Sequence, residues 1–304
     1  MTALVRQEQH PDTELWRAIE AAGGLWVPNG YPEPEEVLAE ARQRGVRALL
    51  TRGGDLQLLH GLPELRFLEA HDPVDVTPAQ GLARLRSLGV TAWGGRLDGS
   101  AWPELEWFSA AETPRDGGGV ETLYDHPRVR SISVAGMRSA DLGELAAPRL
   151  ESLSLSQGPT LRSLAGIERS ADVLRRLELA RLPNLTSFSG LTSLRRLEVL
   201  RLEGLRHVTT LDEVAALPQL QLLDISELRS VESLAPLAGH PTLRFVAFGR
   251  TVDRDLRPLR DVPHLELVHH GHASAWHGDA GGAAQLNEVP ADDPRKLEWR
   301  RLVG

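Results

Sequence analysis

From Leu174 onward one pattern is written out four times: LRRLELARLPNLTSFSGLTSLRR (174–196), LEVLRLEGLRHVTTLDEVAALPQ (197–219), LQLLDISELRSVESLAPLAGHPT (220–242) and LRFVAFGRTVDRD (243–255). With the first leucine of a unit at offset 0, apolar residues fall at offsets 0, 3, 5, 8, 11, 14 and 17. In the third unit these are Leu220, Leu223, Ile225, Leu228, Val231, Leu234 and Leu237. One helix would need period 3.6 and one strand period 2. Here the L-x-x-L-x-L part alternates like a short strand and the rest steps by threes, as a tight 3₁₀-like or turn run does. A fixed period near 23 residues predicts a solenoid, each repeat burying its apolar side against the next.

The register extends in both directions. Offset 0 falls at Val46, Leu65, Leu85, Leu105, Val129, Leu150, Leu174, Leu197, Leu220, Leu243 and Leu265. A second regularity plays no part in setting that register: Pro63, Pro103, Pro127, Pro148, Pro218, Pro241 and Pro263 each lie two residues before an offset 0. Proline lacks an N–H and suits the entry to a strand, not its middle.

With these intervals and the L-x-x-L-x-L core, the chain over 46–270 resembles the leucine-rich repeat family, in its bacterial short-repeat form. The resemblance implies an α/β-type solenoid, a horseshoe or arc with a parallel β-sheet on the concave face, 3₁₀ and turn segments on the convex face, and a small α/β N-terminal cap. One departure is plain. Offset 8 holds Trp93, Met137, Gly158, Leu182, Leu205 and Leu228, where many members carry the Asn or Cys that bonds the turn backbone. Those backbone groups need other partners.

Three segments are expected: a cap over 1–45, the repeats over 46–270, and a linker with a C-terminal cap or tail over 271–304. In the first, ELWRAIEAA reads as a short helix, LWVP from Leu25 as a strand, and PEPEEVLAEARQR as a helix with Pro34, Glu35 and Glu36 in its first turn and Gly45 beyond its end. Trp16 and Trp26 are candidate lid residues. In the last, DDPRKLEWRRLV reads as an amphipathic helix beginning near Asp293 and Pro294.

Composition bounds the function. No run approaches the ~18 apolar residues of a membrane span. The start, MTALVRQEQHPDTELW, shows no basic segment leading into an apolar one, and there is no cysteine for a disulfide or a thiolate metal site. A cytoplasmic, monomeric protein is expected. The formal net charge of −8 argues against binding nucleic acid through its phosphates. No G-x-S-x-G elbow, phosphate-binding loop or catalytic Cys is present, so no enzyme activity, catalytic residue or cofactor is assigned. The resemblance implies a protein-interaction scaffold working through the concave face.

That face is written at offsets 2 and 4 of each strand. Its middle is small and serine-rich, with Ser131, Ser133, Ser152 and Ser154. Toward the C-terminus an apolar row at offset 2, Val199, Leu222, Phe245 and Leu267, runs beside a charged row at offset 4, Glu178, Arg201 and Asp224. The expected partner site is Trp107, Arg176, Glu178, Val199, Arg201, Leu222, Asp224 and Phe245. The alternative is that the tail folds over the apolar row, which leaves Trp107 as the anchor. Offset 1 alternates in sign through Glu106, Arg130, Glu151, Arg175, Glu198, Gln221, Arg244 and Glu266, and reads as a register-fixing ladder. Two further readings stand. His264, His269, His270, His272 and His277 with Asp279 offer metal-ligand chemistry for a sensor or metal enzyme, but their spacing matches no established signature and no metal is assigned. The repeats could also be a purely structural subunit.

Overall fold

The computed structural model describes residues 23–27, 34–52, 56–143, 145, 147–228, 231–270 and 276–303. Trp16 and His272 lie outside them, as does the expected helix over 14–22; of Trp26 the backbone alone is described. The chain divides into two compact units, Met1–Gly136 and Met137–Gly304.

In the first unit β1 (Leu25–Val27), β2 (Ala48–Arg52), β3 (Phe67–Asp75), β4 (Ser87–Gly94), β5 (Trp107–Ala110) and β6 (Ser131–Ala135) pair in sequence order, each neighbour parallel. Helix α1 (Pro34–Arg44) connects β1 to β2, and its acidic first turn and basic last turn complement the helix dipole. In the second unit β7 (Ser152–Ser156), β8 (Arg176–Ala180), β9 (Val199–Glu203), β10 (Leu222–Ile225), β11 (Phe245–Phe248), β12 (Leu267–His270) and β13 (Ala284–Gln285) follow the same rule. Short 3₁₀ segments, such as Leu56–Gly61 and Leu191–Ser193, carry the return side of the repeats, and one repeat uses a short helix, α2 (Asp212–Ala215). The chain closes with α3 (Pro294–Val303).

The register is the one written in the sequence. Leu220, Leu223, Ile225, Leu228, Val231, Leu234 and Leu237 are all buried, and offset 0 is buried in every unit from Val46 to Leu243. At Leu265 it is half-buried, where the last repeat frays.

The prolines have a sharper role than strand entry. The N–H at offset 0 donates to the carbonyl at offset −3, as Leu65 does to Leu62 (3.1 Å), Leu105 to Trp102 (2.9 Å) and Leu150 to Ala147 (3.3 Å). Proline therefore occupies the second position of a β-turn, where its fixed φ is preset and no N–H is required. The strand begins directly after. One carbonyl at offset 1 then receives two donors from the next repeat: Glu151 O accepts from Arg175 N (2.8 Å) and Arg176 N (3.0 Å), and Arg175 O accepts from Glu198 N (2.8 Å) and Val199 N (3.0 Å).

The turn after the strand is satisfied without an Asn ladder. At offset 7 the backbone turns left-handed, at Gly136 (φ 79°), Gln157 (53°), Arg181 (52°) and Gly204 (60°). In that conformation Gln157 N donates to Ala180 O (3.0 Å) and Arg181 N to Glu203 O (2.8 Å), so each turn is tied to the strand end of the following repeat. Offset 8 is thereby free to be apolar, and Trp93, Met137, Leu182, Leu205 and Leu228 are buried there.

Candidate functional site on the strand face

Core offsets 3 and 5 point into each stack, so the pleat sends offsets 2 and 4 out of the opposite side of the sheet. In the first unit two rows lie side by side. Phe67, Ser87, Trp107 and Ser131 share one register line, and Glu69, Gly89, Ser109 and Ser133 the next. Trp107 is 41% exposed. Among the described residues the other exposed large apolar side chains are Val252 and Leu297, and neither is on a strand. Trp107 thus stands between two serines with small residues in the adjacent row, and its side chain remains exposed. Beside it the Glu69 carboxylate lies over Gly89 so closely that a Cβ there would collide with it. His71 Nε2 lies 3.9 Å from Glu69 Oε1, and Thr91 Oγ1 lies 3.4 Å from His71 Nδ1.

In the second unit the expected charged row forms a chain of ion pairs. Arg176 approaches Glu178 (3.6 Å), Arg201 reaches Glu178 and Asp224 (both 3.5 Å), and Asp224 also accepts from Ser226 N (3.0 Å) and Oγ (2.6 Å). With Ser154, Glu203 and Ser226, the side chains of Glu178, Arg201 and Asp224 line a depression of about 140 Å³. The offset 1 ladder is present where it can be followed: Arg175 pairs with Glu198, and Arg244 Nε donates to Glu266 Oε1 (2.6 Å).

The apolar row is not open as the first reading of the sequence has it. Val199, Leu222, Phe245 and Leu267 are buried, in one cluster with Leu286, Val289 and Leu302, and Ala284, Trp299 and Val303 pack against it. The cover is the segment from β13 through α3. Arg244 fastens it: Nη1 and Nη2 donate to Glu298 Oε1 (2.6 Å) and Oε2 (2.7 Å), and its guanidinium lies 4.9 Å from the Phe245 ring centroid. A planar guanidinium suits such a two-pronged contact. The Glu298 and then the Glu266 carboxylate push the Arg244 pKa upward, and Arg244 in turn holds Glu298 below the usual glutamate value. Farther along, Arg176 Nη1 donates to the Val303 carbonyl (3.2 Å), so α3 runs from β11 toward β8. The helix begins where the sequence predicts: Asp293 Oδ1 accepts from Arg295 N (2.8 Å), and Arg295 holds the Asp293 carboxyl at about 2.

No family model and no curated protein sequence matches the chain. Solved structures do. An internalin, InlF, from Listeria monocytogenes superposes with a TM-score of 0.54 at 16% identity, covering 75% of this chain and 74% of the internalin. The fold is that of leucine-rich repeat proteins. The leucine-rich repeat domain of the type III effector XCV3220 (XopL) is also similar, with a TM-score of 0.46 and 19% identity over 67% of this chain and 77% of that one.

Within the leucine-rich repeats the described residues of the histidine-rich stretch have separate partners. His270 packs on Phe248 (5.3 Å between ring centroids) and Trp276 (5.6 Å), and hydrogen-bonds with Gln285. His277 belongs to a backbone bridge with Asp255, Asp279 pairs with Arg260 (2.7 Å), and His264 is exposed. Among the described residues no three His, Asp or Glu side chains are placed to share a metal ion. Two other histidines, not singled out from the sequence, are buried at offset −3, where Leu62, Leu82 and Leu217 stand in other repeats. His126 Nε2 meets the Trp102 carbonyl (3.1 Å) while Nδ1 accepts from Arg128 N (3.2 Å), and His240 Nδ1 accepts from Thr242 N (3.4 Å). Burial lowers the pKa of both. The signal was available: an imidazole at a leucine position directly before proline.

Proposed function

We propose that this chain is a non-enzymatic protein-interaction scaffold that binds a polypeptide partner on its strand face. The supporting observation is Trp107, an exposed tryptophan on a strand, flanked by small residues that let a partner side chain reach the indole. Tryptophan combines a large apolar area with an N–H donor and recurs among residues that dominate binding energy. In the second unit the charged row Glu178, Arg201 and Asp224, with Arg176 at its end, supplies a polar surface of alternating sign. Such surfaces govern orientation and on-rate more than affinity. Val199, Leu222 and Phe245 take no part in this contact while α3 lies over them.

The test is affinity capture from the source organism with wild type, Trp107→Ala and Glu106→Ala. Trp107→Ala removes the anchor and should abolish capture with little change in melting temperature. Glu106→Ala, on the structural ladder, should capture like wild type. Undiminished capture by Trp107→Ala would place the contact elsewhere.

A further inference from the structure

We propose that the row Val199, Leu222, Phe245 and Leu267 is a helix-accepting groove, that α3 is its built-in occupant, and that an amphipathic helix of a partner protein displaces it. This rests on the reading that polypeptides bind the strand face. The row occupies offset 2, which faces outward; in the earlier repeats Ser87, Ser131 and Ser152 stand at that offset and break up the large residues Phe67 and Trp107, so no continuous apolar run forms there. Four successive apolar residues at outward positions, each 3% exposed or less, make sense only beneath an apolar ligand.

What that ligand looks like is written in α3. A helix in a groove anchors through residues three and four apart on one side. Here Trp299, Leu302 and Val303 meet the cluster, and Glu298 takes the guanidinium fork of Arg244. The partner helix should therefore carry a carboxylate, an aromatic residue next to it, and apolar residues three and four positions beyond the aromatic.

Several features make α3 a replaceable occupant. Ten residues form a marginal helix on their own. Of its residues Leu302 alone is fully buried, and Leu297 is left half exposed. The core side of the last strands is filled independently by the Phe248, His270 and Trp276 rings. The fork is also only partly buried, with side-chain exposures of 26% for Arg244 and 32% for Glu298, so an incoming carboxylate can reach the guanidinium.

The experiment uses the full chain and a fluorescein-labelled synthetic peptide of residues 291–304. In wild type, backbone amides of 297–303 should exchange with deuterium at least ~10-fold faster than those of β9 to β11, because α3 opens without the sheet. Equal protection would make α3 a fixed part of the core and overturn the proposal. The variant Glu298→Arg/Leu302→Asp should release the helix and bind the peptide at least ~10-fold more tightly than wild type. Adding Arg244→Glu should remove that binding, and a peptide carrying arginine in place of Glu298 should restore it. A released variant that binds neither peptide, or binds both regardless of the charge at position 244, refutes the groove. Circular dichroism melting of each variant separates loss of the groove from loss of the fold. None of these readouts depends on the native partner, so a failed Trp107 capture and a failed groove remain distinguishable.

Discussion

Trp107 on β5 and Phe245 on β11 hold the same position in their repeats. Each stands two residues past the residue that opens the unit, on the outward side of a parallel strand, paired in register with both neighbours. Yet among the described residues Trp107 is the exposed large apolar side chain of its unit's strands, and Phe245 is fully buried. The strand pairing is of the same kind at both, so the difference comes from elsewhere: a short helix, Pro294–Val303, returns from far downstream of Phe245 to cover it. A repeat register fixes which way a side chain points. It does not fix what meets it there.

That comparison orders the expected effects of substitution. Phe245→Ala should be the most damaging, at roughly 3–5 kcal/mol, because it empties a filled site beneath α3. Leu223→Ala, on the core side of β10, should cost roughly 2–5 kcal/mol and broaden the transition, since a repeat core has only its neighbours to lean on. Trp107→Ala, at an exposed site, should fall within about 0.5 kcal/mol of wild type. Urea titration measures all three. A Trp107 effect as large as that of Phe245 would erase the distinction between the two faces.

The two buried histidines sharpen the comparison through pH. Both have folded pKa values depressed by burial. Below about pH 6.5 the unfolded chain binds protons that the folded chain refuses, so stability falls as pH drops from about 6.5 toward the folded values, and is full above it. His126→Leu and His240→Leu restore the residue type used at that offset in other repeats, and each should flatten the slope between about pH 6.5 and 5. An unchanged slope in both variants would mean that neither imidazole is held neutral. Smallest of all, Arg175→Ala at the exposed pair with Glu198 should cost about 0–1 kcal/mol, and less at high salt.

Much of this molecule is legible in the sequence because the repeat writes the same physics many times. The residues at offsets 0, 3 and 5 are buried for one reason in every unit before the last one frays, so eleven imperfect copies specify the register better than any single one. Even the substitute for the missing Asn ladder is local: a left-handed residue at offset 7 and a hydrogen bond to the next strand end. Contacts outside the period leave no such trace. The apolar row at Val199, Leu222, Phe245 and Leu267 is visible, and so is the helix beginning at Pro294. That the one lies over the other depends on Arg244 choosing Glu298 as well as its ladder neighbour Glu266. Nothing in the spacing of 54 residues announces that choice. The prolines were visible too, but their place in a β-turn needed the offset −3 carbonyl to be seen.

Because the chain contains no cysteine, one measurement reads both faces directly. Ser131→Cys and Val199→Cys are near-isosteric replacements at offset 2, on β6 and β9. In the folded protein at neutral pH, reaction with a thiol reagent should modify the cysteine at 131 rapidly and that at 199 at least ~10-fold more slowly, limited by opening of α3. Equal, rapid modification at both positions would show that the row is open and that the account of a covered and an uncovered face is wrong.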